Sequence, residues 1–135
     1  MKVITKQWLN FAGKDLKSCN NNIKDEFLTN IVVFHCQQTV EKCFKAIIEE
    51  NGLRLNRVHS LLKLYKTVNP LVNFDIDLEK LELLDDVYTS SRYPSDIGLM
   101  QDGEPTMQQA KEMHEFAKQI YNNTIKIFAK ADKES

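Results

Sequence analysis

Apolar residues recur at steps of three and four along most of this chain, and that spacing is the period of an α-helix. Only four glycines and three prolines interrupt the pattern, so the elements between them are expected to be long. Two long helices joined to shorter ones by short connections indicate an all-α, up-and-down four-helix bundle with an additional short helix. The 135 residues are expected to form one domain over residues 1–135. The predicted helices run over Thr5 to Asn22, Asp25 to Asn51, Val58 to Val68, Asp75 or Asp77 to Ser91, and Thr106 to Lys130.

Short polar residues and a glycine mark the predicted helix ends. Thr5 is expected to cap the first helix by accepting a hydrogen bond from a backbone N–H of the first turn. Gly52 is expected to end the second helix in a left-handed conformation. Thr106 and Gln109 form a T-x-x-Q capping box, in which each side chain satisfies the backbone N–H of the other residue. Residues 92–105 contain two of the three prolines and two of the four glycines, so they are predicted to form a loop.

The second predicted helix carries a buried stripe and a polar row side by side. The row consists of His35, Gln38, Lys42 and Lys45, which are spaced by three, four and three residues and therefore form one ridge. A histidine and two ammonium groups can hold a phosphate while the glutamine reads a base edge. A solvated helix face without a ligand explains the same row, and by pattern alone it is the more common explanation. The stripe is formed by Leu28, Ile31, Val32, Cys36, Val40, Cys43, Phe44 and Ile47.

Charge and cysteine content restrict the classes of function. Eighteen Lys and Arg residues nearly balance 19 Asp and Glu residues, so no overall positive field would hold nucleic acid by phosphate neutralisation alone. Any contact with an anion must therefore be local. The three cysteines are an odd number and lie within apolar helical patterns, which suggests a reducing compartment. The start of the chain has no apolar run of the signal-peptide type and no segment is long enough to span a bilayer, so a cytoplasmic location is expected.

Three short blocks follow one another in an order that resembles a known family. The block HCQQTVEKCFKA, from His35 to Ala46, is similar to the HCQQ-x-x-EK-x-x-KA signature of the HEPN domain, a nucleotide-binding domain described in prokaryotes and higher eukaryotes. The block NRVHSLLKL, from Asn56 to Leu64, resembles the second block of that family, with Ser60 in place of the usual aspartate. The block YTSSRYP, from Tyr88 to Pro94, resembles the family's Tyr-x-x-Ser-Arg-Tyr-Pro. The resemblance implies an all-helical bundle, usually dimeric, with a polar groove lined by the second helix and the Arg-Tyr-Pro loop.

The resemblance also implies a function and a set of site residues. We expect a non-catalytic protein that binds a nucleotide or nucleic acid, forms a homodimer and acts with a small nucleotidyltransferase, because family members often accompany such an enzyme in toxin–antitoxin pairs. Arginine suits a phosphate fork and tyrosine can stack on a base, although Arg92 can instead pair with an acid such as Asp96. The expected nucleotide-binding residues are His35, Gln38, Lys42, Lys45, His59, Arg92 and Tyr93.

A metal-independent ribonuclease is the main alternative. Active HEPN ribonucleases carry an arginine followed after four to six residues by a histidine, and Arg54 and His59 have that spacing. The match is weak because Leu55, which is apolar, follows the arginine. A dimer could instead bring His35 or His59 near Arg92, with the histidine moving a proton and the arginine holding the phosphate.

A helical interaction or dimerisation module without a ligand is the third interpretation. No cofactor is expected. No metal site is predicted either, because the adjacent Asp85 and Asp86 point to different sides of a helix. His114 is expected to be a boundary residue between core and surface rather than a ligand.

Overall fold

The computed structural model describes residues 1–54, 57–91 and 104–134, and these residues contain five α-helices and no β-strand. The predicted all-α fold is confirmed. Residues 92–103, which include Arg92, Tyr93 and most of the predicted loop, lie outside the described residues. The helices are α1 (Val3–Asn22), α2 (Thr29–Glu50), α3 (Leu61–Val68), α4 (Leu78–Ser91) and α5 (Met107–Glu134).

Helix α2 is the centre of the bundle, since it packs against each of the other four helices. Its most extensive contact is with α1. Because neighbours surround α2 on several sides, its buried face is wider than one stripe and includes Val33, which is 0% exposed. The prediction that Ile31 is buried is wrong: it is 40% exposed, on the strip of α2 that also carries the half-buried His35 and Gln38.

The start of α1 is fixed by the end of α2. Lys2 occupies the N-cap position without a side-chain capping bond, so the prediction that Thr5 caps this helix is wrong. Thr5 is instead buried within α1, and its hydroxyl donates a 2.9 Å hydrogen bond to Glu50 Oε1. The backbone N–H of Lys2 donates to the same oxygen at 2.9 Å. This backbone hydrogen bond is the largest cause of a lowered pKa for Glu50, and the Thr5 hydroxyl adds to it.

Local capping explains the other helix starts. Asp25 precedes a 3-10 turn over Glu26–Leu28, where its side chain accepts from Phe27 N at 2.9 Å, and α2 begins only after that turn. Of the two candidates for α4, Asp77 is the cap, because its Oδ1 accepts from the backbone N–H groups of Glu79 and Lys80. The predicted start near Asp25 was therefore a few residues early, since a tighter turn precedes the α-helix.

Two further predictions about where helices start or end are confirmed, and one is wrong. Gly52 follows α2 with φ of 70°, the left-handed conformation expected of a helix stop. Thr106 and Gln109 form the capping box, with the Thr106 N–H donating to Gln109 Oε1 at 2.8 Å and the Gln109 N–H to Thr106 Oγ1 at 3.1 Å. Helix α5 continues to Glu134, past the end predicted at Lys130. Within the described residues, no helix is both long enough and apolar enough to cross a membrane.

Candidate functional site

One carboxylate on α1 binds two residues of the polar ridge on α2. Asp15 Oδ1 lies 2.7 Å from His35 Nδ1, and Asp15 Oδ2 accepts a hydrogen bond from Lys42 Nζ. Asp15 is 8% exposed, while the side chains of His35 and Lys42 keep 28% and 22% of their surface in solvent. The ridge is therefore not a fully solvated helix face, because two of its four side chains are half-buried and bound by a buried carboxylate of α1.

A second buried carboxylate, Glu41, lies at the centre of a network of hydrogen bonds. Its side chain is 5% exposed and accepts from Lys45 Nζ at 3.0 Å and from Gln37 Nε2 at 3.2 Å, while His59 Nδ1 lies 3.2 Å from Oε1. Gln37 is 0% exposed, and its Oε1 in turn accepts from Gln38 Nε2 at 2.9 Å. The network thus runs from the ridge residue Gln38, through the buried Gln37 and Glu41, to His59 at the surface.

The two ridge lysines have different environments. Lys45 is buried, and besides its ion pair with Glu41 its ammonium lies 5.6 Å from the centroid of the Trp8 ring. Lys42 is paired with Asp15 but still reaches solvent. Each lysine charge is matched by one carboxylate, so this part of α2 carries less positive potential than its sequence indicates.

His59 is the most exposed of the candidate histidines and is held from two sides. Its carbonyl oxygen accepts from Gln37 Nε2 at 3.1 Å, and its Nδ1 faces Glu41. Its side chain is 71% exposed, and Nε2 has no hydrogen-bond partner in residues 1–54, 57–91 and 104–134. A buried carboxylate therefore orients the imidazole while its other nitrogen stays available to a ligand.

A cleft of about 410 Å³ lies between His59 and the outer side of α4. Its lining includes Ser60 and Leu62 from the start of α3 and Glu82, Asp86 and Tyr88 from α4. The α4 wall is acidic, so it opposes a phosphate and favours hydrogen-bond donors. The side of the cleft near His59 is thus better suited to a base or a sugar hydroxyl than to a phosphate.

Asp85, which the sequence did not single out as a site residue, fixes the start of α3 beside His59. Its Oδ2 accepts from the backbone N–H groups of Leu61 at 2.9 Å and Leu62 at 3.3 Å and from the Ser60 hydroxyl at 3.3 Å. Burial raises the pKa of Asp85, and these hydrogen bonds oppose the rise. The start of α3 is thus held by the Ser60 hydroxyl, which accepts from the Lys63 N–H at 3.4 Å, and by the Asp85 carboxylate of α4. No local pattern in the sequence indicated these contacts, because the partners of Asp85 lie 23 to 25 residues away.

Aromatic contacts connect the cleft to the ridge on α2. The ring of Tyr88 lies 5.7 Å from that of Phe34, and the Phe34 ring lies 5.1 Å from the imidazole of His35. Tyr88 opens the block YTSSRYP, and Ser91, three residues later, is the last residue of α4. The structure therefore brings the start of this block next to the other two blocks. Arg92 and Tyr93 lie outside the described residues.

Two other residues considered from the sequence, Arg54 and His114, lie outside the ridge and the cleft. Arg54, the arginine of the predicted ribonuclease pair, lines a separate cavity of about 170 Å³ with Lys63 and Thr67, whereas His59 lines the cleft near α4. His114 Nε2 lies 2.6 Å from Asn20 Oδ1, and burial lowers its pKa. In the described part of the chain, no three His, Cys, Asp or Glu side chains gather as a metal site would require.

The family model for the HEPN domain matches residues 5–127, which is most of the chain. The chain belongs to the HEPN domain family. The crystal structure of ST0689, an archaeal HEPN homologue, is similar to this HEPN domain with a TM-score of 0.69 and 28% sequence identity, over 92% of this chain and 96% of that one. The crystal structure of TT1696 from Thermus thermophilus shares the fold, with a TM-score of 0.73 and 22% identity over 90% of this chain and 96% of that one. No curated protein matches the chain.

Proposed function

We propose that this HEPN domain binds a nucleotide or a nucleic acid without cleaving it, on the surface formed by α2, His59 and the end of α4. The observation that carries the proposal is the arrangement of two histidines. His35 and His59 each face a buried carboxylate through Nδ1, and each has its Nε2 without a partner in the described residues. Two oriented imidazoles with a carboxamide, Gln38, nearby form a recognition surface.

Each of the two histidines can bind either a hydrogen-bond donor or a hydrogen-bond acceptor of a ligand. A neutral imidazole that donates from Nδ1 to its carboxylate accepts at Nε2, for example from an amino group of a base. A protonated imidazole donates from Nε2 as well, for example to a phosphate oxygen. Through Nε2, either imidazole can therefore contact an amino group of a base or an anionic oxygen.

The distribution of charge suggests how a nucleotide lies in this site. The acids Glu82 and Asp86 repel a phosphate from the α4 wall, so the base or sugar lies near His59, where carboxylates can accept from amino and hydroxyl groups. The phosphate lies toward Lys42, and on sequence grounds Arg92 binds it while Tyr93 stacks on the base. Lys45 acts indirectly, because it is buried and holds Glu41 in place.

The proposed biological setting comes from the family resemblance. The domain acts in the cytoplasm as a homodimer with a small nucleotidyltransferase, in a pair of the toxin–antitoxin kind. Co-expression with a nucleotidyltransferase encoded in a neighbouring reading frame tests the partner, since the two chains should copurify through size exclusion. Light scattering on the purified HEPN domain tests the dimer, and a monomer mass at all accessible concentrations would contradict it.

Titration calorimetry with a panel of nucleotides tests the binding itself. The panel contains adenosine, guanosine, cytidine and uridine mono- and triphosphates together with a short single-stranded RNA. Wild type is compared with Gln38→Ala, which should weaken binding about tenfold if the amide reads a base edge. His114→Ala is the control, because His114 pairs with Asn20 and lies in neither the ridge nor the cleft. Absence of heat and of a thermal shift with every member of the panel would exclude the proposal.

A metal-independent ribonuclease is the second candidate, and the contact between His59 and Glu41 favours it. An exposed imidazole held by a carboxylate can move a proton between a ribose hydroxyl or leaving oxygen and solvent. Arg54 lines a different cavity, so Arg92 would have to bind the phosphate, from the same or the second subunit. Cleavage of RNA in the presence of a chelator, lost in His59→Ala, would support this candidate. RNA that stays intact with the wild-type protein over a range of salt concentrations would exclude it.

A further inference from the structure

Two buried thiols face each other across the contact between α1 and α2. Cys19 of α1 and Cys36 of α2 are both 0% exposed, and their sulfur atoms lie 3.5 Å apart. Cys19 Sγ is also 3.5 Å from the carbonyl oxygen of Val32, to which it can donate its proton. Cys36 can then donate to Cys19, so each thiol proton has an acceptor. Both cysteines are free thiols in this structure.

We propose that Cys19 and Cys36 form a redox-sensitive pair, which closes into a disulfide between α1 and α2 when the protein meets a low-molecular-weight disulfide such as oxidised glutathione. The sulfur atoms need to approach by about 1.5 Å to reach the bonded distance of roughly 2.05 Å. The bond would join the two helices that also share the contacts of Asp15 with His35 and Lys42. This inference is independent of nucleotide binding.

The reaction is a pair of thiol–disulfide exchanges. Cys19 lies three residues before the end of α1 at Asn22, and the last turn of a helix opens more readily than its middle. The Cys19 thiolate attacks one sulfur of oxidised glutathione, which releases one glutathione thiolate. Cys36 then attacks Cys19 Sγ in the mixed disulfide, and the second glutathione leaves. The two protons lost by the cysteines end on the two glutathione thiols, so two protein thiols are oxidised and one glutathione disulfide is reduced.

Cys43 provides a matched internal control. It lies on the same helix as Cys36 and is likewise 0% exposed, but no second thiol lies beside it in the described part of the chain. Burial raises the pKa of Cys43 to about 12, so it stays protonated and unreactive near neutral pH. The pKa of Cys36 is also raised, first by its hydrogen bond with Cys19 and then by burial, and exchange should therefore be slow, over hours, and faster at higher pH.

Peptide mapping tests the pair directly, because cleavage after lysine places each cysteine on a different peptide. Cys19 falls on residues 18–24, Cys36 on residues 25–42 and Cys43 on residues 43–45. The full chain is incubated with oxidised glutathione at pH 8, alkylated under acid quench and digested without reductant. We expect peptides 18–24 and 25–42 to be joined, and peptide 43–45 to be alkylated. Free Cys19 and Cys36 after prolonged incubation, stable glutathione adducts alone, or equal cross-linking through Cys43 would each overturn the proposal.

Stability supplies a second readout. A disulfide between residues 17 positions apart restricts the unfolded chain, so the oxidised protein should melt on the order of 10 °C higher than the reduced one. Cys43→Ala should keep this difference between the oxidised and reduced forms, and Cys36→Ala should abolish it. If Cys36→Ala does not fold, the peptide map of the wild-type protein decides. Equal melting temperatures for a protein shown by mapping to carry the bond would exclude its role in stabilising the contact of α1 with α2.

Discussion

Glu41 Oε1 lies 3.2 Å from Nδ1 of His59, so a carboxylate that is 5% exposed orients an imidazole that is 71% exposed. Glu41 contributes to the stability of the fold, whereas His59 contributes to the proposed binding surface. Glu41 also accepts from Lys45 and Gln37, which are both buried, and it therefore belongs to the structure of the bundle. His59 contributes a nitrogen to the surface, and the structure should tolerate its loss. The pair thus offers a way to separate stability from binding.

Glu41→Gln should destabilise the fold. The substitution leaves the buried Lys45 ammonium without a counter-charge, at a cost of about 2–4 kcal/mol in the free energy of unfolding. Urea denaturation followed by circular dichroism measures the change. Glu49→Gln on the same helix is the control, because the Glu49 side chain has no partner among the described residues and its loss should cost less than about 0.5 kcal/mol. Equal effects of the two substitutions would show that the network around Glu41 contributes no stability.

His59→Ala should weaken binding while leaving the fold intact. Glu41 keeps its bonds to Lys45 and Gln37 in this variant, so the free energy of unfolding should change by less than about 0.5 kcal/mol. Nucleotide affinity should fall about tenfold, which corresponds to roughly one hydrogen bond. Calorimetry and urea denaturation on the same preparation separate the two effects. Unchanged affinity would remove His59 from the proposed site without affecting the assignment of Glu41.

Asp85→Ala should loosen the start of α3 and, through it, the position of His59. The substitution removes the acceptor of the Leu61 and Leu62 N–H groups, and loss of such a cap costs about 1–2 kcal/mol. Asp86→Ala is the control, since Asp86 is an exposed neighbour on the same helix. Asp85→Asn keeps one acceptor oxygen and should recover part of the stability. A full loss in Asp85→Asn would indicate that the charge, and not the hydrogen bonding, matters at this position.

Glu50 should make the contact between α1 and α2 sensitive to acid. Its folded-state pKa is lowered, first by the Lys2 N–H bond, so the ionised form stabilises the folded protein above the ordinary glutamate pKa. That contribution is lost as the pH falls through the lowered folded-state pKa. In urea denaturation at several pH values, wild type should be more stable than Glu50→Gln at neutral pH, and the difference should shrink in acid. A difference that is constant with pH would show that Glu50 acts through hydrogen bonding alone.

Most of the fold could be predicted from the sequence because helix periodicity and capping are local properties. Gly52 and the Thr106 and Gln109 box acted as their local chemistry predicts. Thr5 does not cap α1, because its hydroxyl donates instead to Glu50, which lies 45 residues away and which no local pattern reveals as a partner. Short-range rules identify what a residue can do, and the packing of distant helices decides which of the options is used.

The residue types of the candidate site could be predicted, but the hydrogen bonds between residues of different helices could not. The spacing of His35 and Lys42 placed them on one face, yet nothing in that spacing showed that Asp15 of another helix accepts from both. Similarly, nothing in the sequence near Ser60 showed that its hydroxyl donates to Asp85, which lies 25 residues away. Contacts between helices depend on three-dimensional packing, so a single sequence cannot provide them.

Asp15→Asn should lower the free energy of unfolding and raise the affinity for phosphate. The amide keeps an acceptor for His35 but no longer neutralises Lys42, and loss of this partly buried ion pair should cost about 1–2 kcal/mol in the free energy of unfolding. The freed ammonium, which already reaches solvent, should then bind a nucleotide phosphate more tightly, with an affinity that falls more steeply as salt increases. Calorimetry with a triphosphate at several salt concentrations measures how steeply the affinity falls with salt. The control is the double variant Asp15→Asn with Lys42→Gln, in which this salt dependence should return to the wild-type value. Affinity and salt dependence that do not change in Asp15→Asn would place the phosphate away from Lys42 and leave Arg92 as the residue to test.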